Sequence, residues 1–268
     1  MGIVYGGTDS DVDAWYENIL SNGGSVSAST IYSVLTFTRN LKSSGLWAKM
    51  KEVYIFCGVT DLNSSLTKLK YITNQRITNT NIPSNYYTAT GSTCGIRGDG
   101  TYMFLTPGVA YDAVPVKDRF VAAYETNRVA AFYTTLIGRQ KGGGNTAFGP
   151  TVNPNGYTQA RILDTTLNTI SAGLSPVITA GGLITANVTS NSVAHYTNKT
   201  WQNSNHTLGD TLGGTGGYFI LSALGGGAHP STTISLGFIG NYLNQTQTEL
   251  LSAYCDTLMT DFGGNKWQ

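Results

Sequence analysis

Apolar and polar positions alternate most clearly near the C-terminal end of the chain. Between Thr233 and Gly240, the residues Ile234, Leu236 and Phe238 recur at a spacing of two, which predicts a half-buried strand. Asn241–Asn244 break that pattern. Thr246–Glu249 then fits a reciprocal capping box, a hydroxyl and a carboxylate satisfying the first backbone N–H groups, so a helix is expected from Thr246 onward. Leu250, Leu251, Tyr254, Leu258 and Phe262 follow at the three-and-four spacing of a helix with one buried stripe, and Gly263 and Gly264 suit its end.

The same periodicity places helices at the other end of the chain. Val12, Trp15, Tyr16 and Ile19 share one helical face, and the acidic Asp9, Asp11 and Asp13 sit where the dipole favours them. A second helix is expected from Ser29 to Ser44, with Ile31, Val34, Leu35, Thr38 and Leu41 inward and Gly45 as its stop. Val53–Cys57 reads as a buried strand. Residues 1–57 therefore form a helical head leading into the first strand, and 58–268 a β-sandwich closed by the C-terminal helix, packed as one unit.

Beyond Gly58, polar stretches alternate with short apolar runs, the texture of an all-β sandwich. Strands are expected at Thr101–Leu105, Arg119–Tyr124, Val129–Thr134, Gln159–Leu163, Leu183–Val188, Val193–Tyr196 and Tyr218–Ser222. Glu125–Arg128 is the expected hairpin turn between the second and third of these. Gly138–Asn145, with three successive glycines, is expected to be a loop.

Composition narrows the setting. Charged residues make up 12% of the chain against roughly 25% in an average domain, so its surface depends on Ser, Thr, Asn, Gln and Tyr. A net charge of +1 without large Lys/Arg clusters argues against a nucleic-acid or anionic-membrane partner. No apolar run reaches the roughly 18 residues of a membrane span, and no secretory signal is visible. Cys57, Cys94 and Cys255 contain no C-x-x-C pair and are expected to be buried free thiols.

Two segments carry a family resemblance. Ile234–Leu251, strand, turn and capped helix, resembles the closing segment of phage virion proteins that hold a concanavalin A-like (laminin-G-like) sandwich. Asn22–Ser27 together with Leu41–Lys51 resembles the N-terminal part of the same proteins. The resemblance implies a mainly β fold, a concanavalin A-like jelly-roll sandwich with an N-terminal helical head and a C-terminal helix. It also implies a virion location after assembly in the host cytoplasm.

Motifs for catalysis are sparse. Retaining sandwich glycosidases need two carboxylates ~5 Å apart, inverting ones up to ~9.5 Å. The four glutamates, Glu17, Glu52, Glu125 and Glu249, have no second acid two residues away on a strand, which leaves distant pairs such as Asp99 with Asp210. Asp9, Asp11 and Asp13 lack the Gly and Glu that a calcium loop requires further on, so they are read as capping residues. His195, His206 and His229 are isolated and expected in surface loops, and no metal ligand set is predicted. Gly91–Gly95 places Thr93 where a nucleophile elbow needs Ser, and is better explained as a glycine-rich turn. Gly142–Asn145 lacks the residues of a phosphate loop. The Asn-x-Ser/Thr sequons reflect composition.

The expected function is thus a structural component of a bacteriophage particle, displayed on the virion surface, with no cofactor and no enzymatic activity. The alternative is a receptor- or carbohydrate-binding module of the same particle, with a glycan hydrolase behind both. For binding, Tyr196, Asn198, Trp201 and Asp210 form a candidate loop edge, and Tyr86, Tyr87 and Tyr111 are further aromatics near polar loops. Trp15, Tyr16, Tyr32 and Trp47 are candidate interface residues toward other virion proteins or further copies in a homo-oligomer. A host surface glycan is the expected external partner.

Overall fold

The computed structural model describes residues 9–72, 74–98, 103–110, 113, 117–127, 134–141, 145–152, 158–163, 169–175, 182–190, 192–197, 199–205, 217–223 and 232–264. The chain is mainly β, with two antiparallel sheets packed face to face. Strands are numbered along the chain. The first sheet runs β14 (Thr200–Asn205), β13 (Ser192–Thr197), β12 (Gly182–Thr189), β7 (Asp118–Asn127), β16 (Thr233–Gly240), β1 (Met50–Ile55), β2 (Lys68–Lys70). Where β1 ends, β5 (Gly95–Arg97) takes its place on β16, and β4 (Tyr87–Thr88) pairs with β5. The second sheet runs β11 (Thr169–Ser175), β10 (Thr158–Leu163), β9 (Asn145–Val152), β8 (Thr134–Lys141), β15 (Tyr218–Ala223), β6 (Phe104–Thr106), β3 (Thr78–Thr80).

Two cores follow from the alternation of side chains along each strand. Tyr54, Phe56, Val121, Ile184 and Ile234 point between the sheets and meet Ile137, Phe148 and Ile220 of the second sheet. Val53, Phe120, Tyr124, Leu236 and Phe238 point the other way, under helices α1 (Ser10–Ser21), α2 (Ala28–Ser43) and α5 (Gln245–Asp261). Trp15, Ile19, Val34, Leu41, Leu251 and Leu258 cover them, and Phe37 tilts against Phe238 with ring centroids 6.4 Å apart. Strand β16 is buried along its whole length, on both faces, where the alternation predicted one. Its outer side lies under the helices, and its inner side is close to the second sheet at Gly237, where a Cβ would come within 2.5 Å of Ile137.

The helix ends show how side chains set the boundaries. Asp9 caps α1 by accepting from the Asp11 backbone N–H, and Lys42 of α2 bridges Asp9 and Asp11 at 2.7 and 2.6 Å, so the acidic run is a capping device. Ser27 caps α2 through the Thr30 N–H. The cap of α5 lies earlier than the hydroxyl-and-carboxylate pattern suggested. Asn244 accepts from the Gln247 N–H while the Gln247 side chain accepts from the Asn244 N–H, and Glu249 instead accepts from Gln245. The buried stripe of α5 is accordingly Thr248, Leu251, Ser252, Cys255, Leu258 and Met259, with Leu250 exposed.

Two further expectations are corrected. The turn expected at Glu125–Arg128 is strand as far as Asn127, where β7 pairs with β12 and β16, and residues 128–133, which hold most of the expected partner strand, lie outside the described residues; Thr134 begins β8, in the other sheet beside β9 and β15. Residues 138–141 and 145 are not loop, because β8 and β9 pair antiparallel out to Lys141 and Asn145.

Candidate functional site

The expected loop edge does not form. Tyr196 lies in β13 and is only 2% exposed, packed in the core beneath the helices. Trp201 is its cross-strand neighbour in β14, half-buried against that same core. The polar composition after Tyr196 suggests loop, but Thr200–Asn205 pairs with β13 and holds Trp201 in the sheet. Asn198 and Asp210 lie outside the described residues, as do Tyr111, His206, His229 and Asp99.

The other candidates have structural occupations. Trp15 is 1% exposed inside the helix–sheet core, so its packing is within the chain. Tyr16 is half-buried beside it, and Trp47 has the ammonium groups of Lys42 and Lys70 over its ring at 5.3 and 4.8 Å. Tyr32 alone of the four stands out, 69% exposed on α2. His195 is not a surface histidine: it is buried in β13, bonded to the Thr185 carbonyl and the Thr158 hydroxyl. Glu125 is buried between the sheets and accepts from Thr232 Oγ1. The three cysteines are buried and unpaired, and burial pushes the Cys57 and Cys255 thiols well up. Among the described residues no cluster of His, Cys, Asp and Glu could hold a metal ion, and no helix is long and apolar enough to cross a membrane.

A cleft does form elsewhere, at the end of the first sheet where β5 replaces β1. The register places Arg97 opposite Thr233 and Thr233 opposite Asn127. Since Tyr87 pairs with Ile96, Tyr86 falls beside Arg97, and the guanidinium lies over the Tyr86 ring at 4.8 Å. Ile96 points between the sheets and Arg97 is exposed on the other side of β5, while Thr233 lines the cleft from a nearly buried position, 2% exposed. The Gly91–Gly95 turn, closed by the Cys94 N–H on the Gly91 carbonyl, brings Thr93 and Gly95 to the same place. Asn85 and Thr88 complete a cleft of about 170 Å³.

That volume is below the usual range of drug-sized sites, about 300–1,000 Å³, and the walls are unlike the apolar lining of most such pockets. Among the described residues, hydroxyls from Thr88, Thr93 and Thr233 and amides from Asn85 and Asn127 dominate, with one aromatic ring and one permanent cation. No carboxylate is among the described lining residues. These groups can donate and accept hydrogen bonds along a hydroxylated ligand and fix one negative charge.

Sequence reasoning included Tyr86 among the aromatics near polar loops and missed Arg97, Asn127 and Thr233. No local signal could have found them. They sit on three strands far apart in sequence, and only the pairing of β5, β16 and β7 makes them neighbours.

No protein-family model matches the sequence, and no curated protein is significantly similar to it. Solved structures do share its fold. Trypanosoma rangeli sialidase matches with a TM-score of 0.52 at 10% identity, over 87% of this chain and 39% of its own. A mutant of that sialidase displaying trans-sialidase activity matches at 0.54 and 10% identity, over 83% of this chain and 38% of its own. The complex with the inhibitor DANA matches at 0.53 and 12% identity, over 80% and 33%. The chain thus spans between about a third and two-fifths of the length of the sialidases it matches.

These neighbours overturn the expectation that the chain is not an enzyme. The fold it shares is one found within sialidases and trans-sialidases, and the lack of a paired-carboxylate motif in the sequence is no ground for excluding catalysis. At 10–12% identity the likeness is one of fold, and it assigns no activity to this chain.

Proposed function

We propose that this chain is a glycan-recognising module displayed on the surface of a bacteriophage particle, built on a concanavalin A-like jelly-roll sandwich. The observation that carries the glycan reading is the cleft lined by Asn85, Thr88, Thr93, Asn127 and Thr233. Sugars present dense hydroxyls and little apolar surface. A wall of hydroxyls and amides with a single aromatic ring matches them better than it matches an apolar ligand.

The particle setting is supported by the two segments that resemble phage virion proteins, and the low charge and Ser/Thr/Asn-rich texture suit that setting. A displayed module of modest affinity gains from repetition, since linked sites raise avidity by ~10²–10⁴ without new contacts. Homo-oligomers or neighbouring virion proteins would provide that repetition, and exposed Tyr32 is a suitable contact for them.

The test is binding of the purified protein to an immobilised panel of host surface glycans, repeated with Asn127→Ala and Thr233→Val. Saturable binding weakened by either change supports the reading. Failure to bind any glycan, alone or multimerised, removes it. The particle setting is tested separately, by locating this chain on assembled virions.

A further inference from the structure

The cleft carries one feature that a neutral sugar would not need. Arg97 is exposed at its wall, and among the described residues no carboxylate forms an ion pair with it. Asp99, two residues on, lies outside the described residues, and the acid nearest in register, Glu125, faces the interior and is engaged by Thr232. Tyr86 lies under the guanidinium at 4.8 Å and restrains it. Its N–H donors are left for a partner other than the ring. A restrained guanidinium with an open fork is suited to a planar, bidentate anion.

We infer that the ligand of this cleft is an acidic sugar whose carboxylate binds Arg97 while its ring hydroxyls contact Thr233, Asn127, Thr93 and Thr88. This rests on the glycan-recognition reading of the same cleft. The charge count favours a carboxylate over a phosphate ester. Among the described lining residues one cation stands among neutral groups and balances one negative charge, whereas phosphate recognition draws on clustered Lys and Arg. The distribution of neutral groups agrees. Thr233 and Asn127 continue the row of Arg97 across β16 and β7, so a ligand anchored at Arg97 extends along hydroxyl and amide side chains.

The experiment uses the full chain and measures dissociation constants by titration calorimetry or ligand-observed NMR. The probes are sialic acid, glucuronic acid, their methyl esters, galactose and inorganic sulfate. At least one acid should bind roughly ten- to hundredfold more tightly than its own ester, the worth of a charge-assisted bond. Arg97→Gln should abolish that preference and leave the melting temperature unchanged, because the side chain is exposed, and Arg97→Lys should restore it only in part. Equal binding of acid and ester, or a preference that survives Arg97→Gln, overturns the acidic-sugar inference and leaves glycan recognition standing. Sulfate binding as tightly as the preferred acid overturns the carboxylate assignment. If no sugar of either kind binds, the glycan reading fails together with it.

Discussion

Lys68 and Glu52 form an ion pair at 2.8 Å in which neither side chain is exposed to solvent. Lys68 also donates to the Pro107 carbonyl at 2.6 Å, and Glu52 accepts from the Ile72 N–H at 2.9 Å, so the pair ties β1 and β2 to the chain that follows β6. Burial pushes the Glu52 carboxyl up and the Lys68 ammonium down, which is the cost of holding both charges out of water. Removing one partner leaves the other charge alone. Lys68→Met should therefore cost about 3–5 kcal/mol, and Glu52→Gln combined with Lys68→Met should recover much of that loss. Urea melts of the two single variants and the double variant measure this, and additive losses would show that the two groups are not coupled.

The α5 cap gives a sharper contrast. Asn244→Ala removes the acceptor of the Gln247 N–H and should cost about 0.5–2 kcal/mol, whereas Thr246→Ala, at an exposed position with no capping bond, should be close to neutral. Equal losses from the two would move the helix start back to Thr246. Deeper in the same helix, Leu258 is 2% exposed in the helix–sheet core, and Leu258→Ala should cost about 2–5 kcal/mol.

A pH dependence follows from Asp61, which caps α4 (Leu62–Ser65). Burial pushes its carboxyl up, but hydrogen bonds from the Ser64 N–H, the Ser64 hydroxyl and the Thr60 hydroxyl outweigh that and hold it below the ordinary 3.8. A carboxyl whose folded value is depressed stabilises the fold above its unfolded value and loses that contribution as pH falls through the folded one. The melting-temperature gap between wild type and Asp61→Asn should therefore be full at pH 6 and close below about pH 4. A gap that widens on acidification would reverse the sign and refute the assignment.

What could be read from sequence follows the range of the interactions. The three long helices were legible because their signals are local: apolar spacing, the acidic run from Asp9 before the first, and Gly45 and Gly263, with φ 76° and 73°, past the ends of the other two. The α5 cap was misplaced by two residues because Thr246 and Glu249 offered a second plausible box beside Asn244 and Gln247. Strand existence was also readable at β12, β13, β15 and β16. Strand partnership was not. The segments Asp118–Asn127 and Thr134–Lys141 are near neighbours in sequence and lie in different sheets, a choice made by which side chains complete which core. For the same reason Tyr196 looked like a binding aromatic. Its burial depends on α5 passing over β13, a contact between residues more than fifty positions apart. Arg97 carried no signal until β5 was placed on β16.

That placement depends on Gly95, and it can be tested there. Gly95 has φ 131°, and a Cβ at this position would lie 2.4 Å from the Ile234 carbonyl oxygen, inside the backbone of the strand it pairs with. Alanine at 95 therefore meets two obstacles, a left-handed backbone and a clash that no side-chain rotation relieves. Gly91, four residues earlier, has φ 100° but nothing within 4 Å of its added Cβ, so alanine there meets only the first. Gly91→Ala should cost on the order of 1 kcal/mol, and Gly95→Ala clearly more. The larger loss should come with displacement of β5 from β16, because the Ile96–Ile234 and Arg97–Thr233 pairs cannot both hold when the backbones separate. Arg97 then leaves the row it shares with Thr233 and Asn127, so any ligand of the cleft should bind Gly95→Ala more weakly than Gly91→Ala. Amide hydrogen exchange at Ile96 and Ile234 reads the displacement directly. Unchanged protection at both positions, with equal stability of the two variants, would show that β5 is not held against β16 as described.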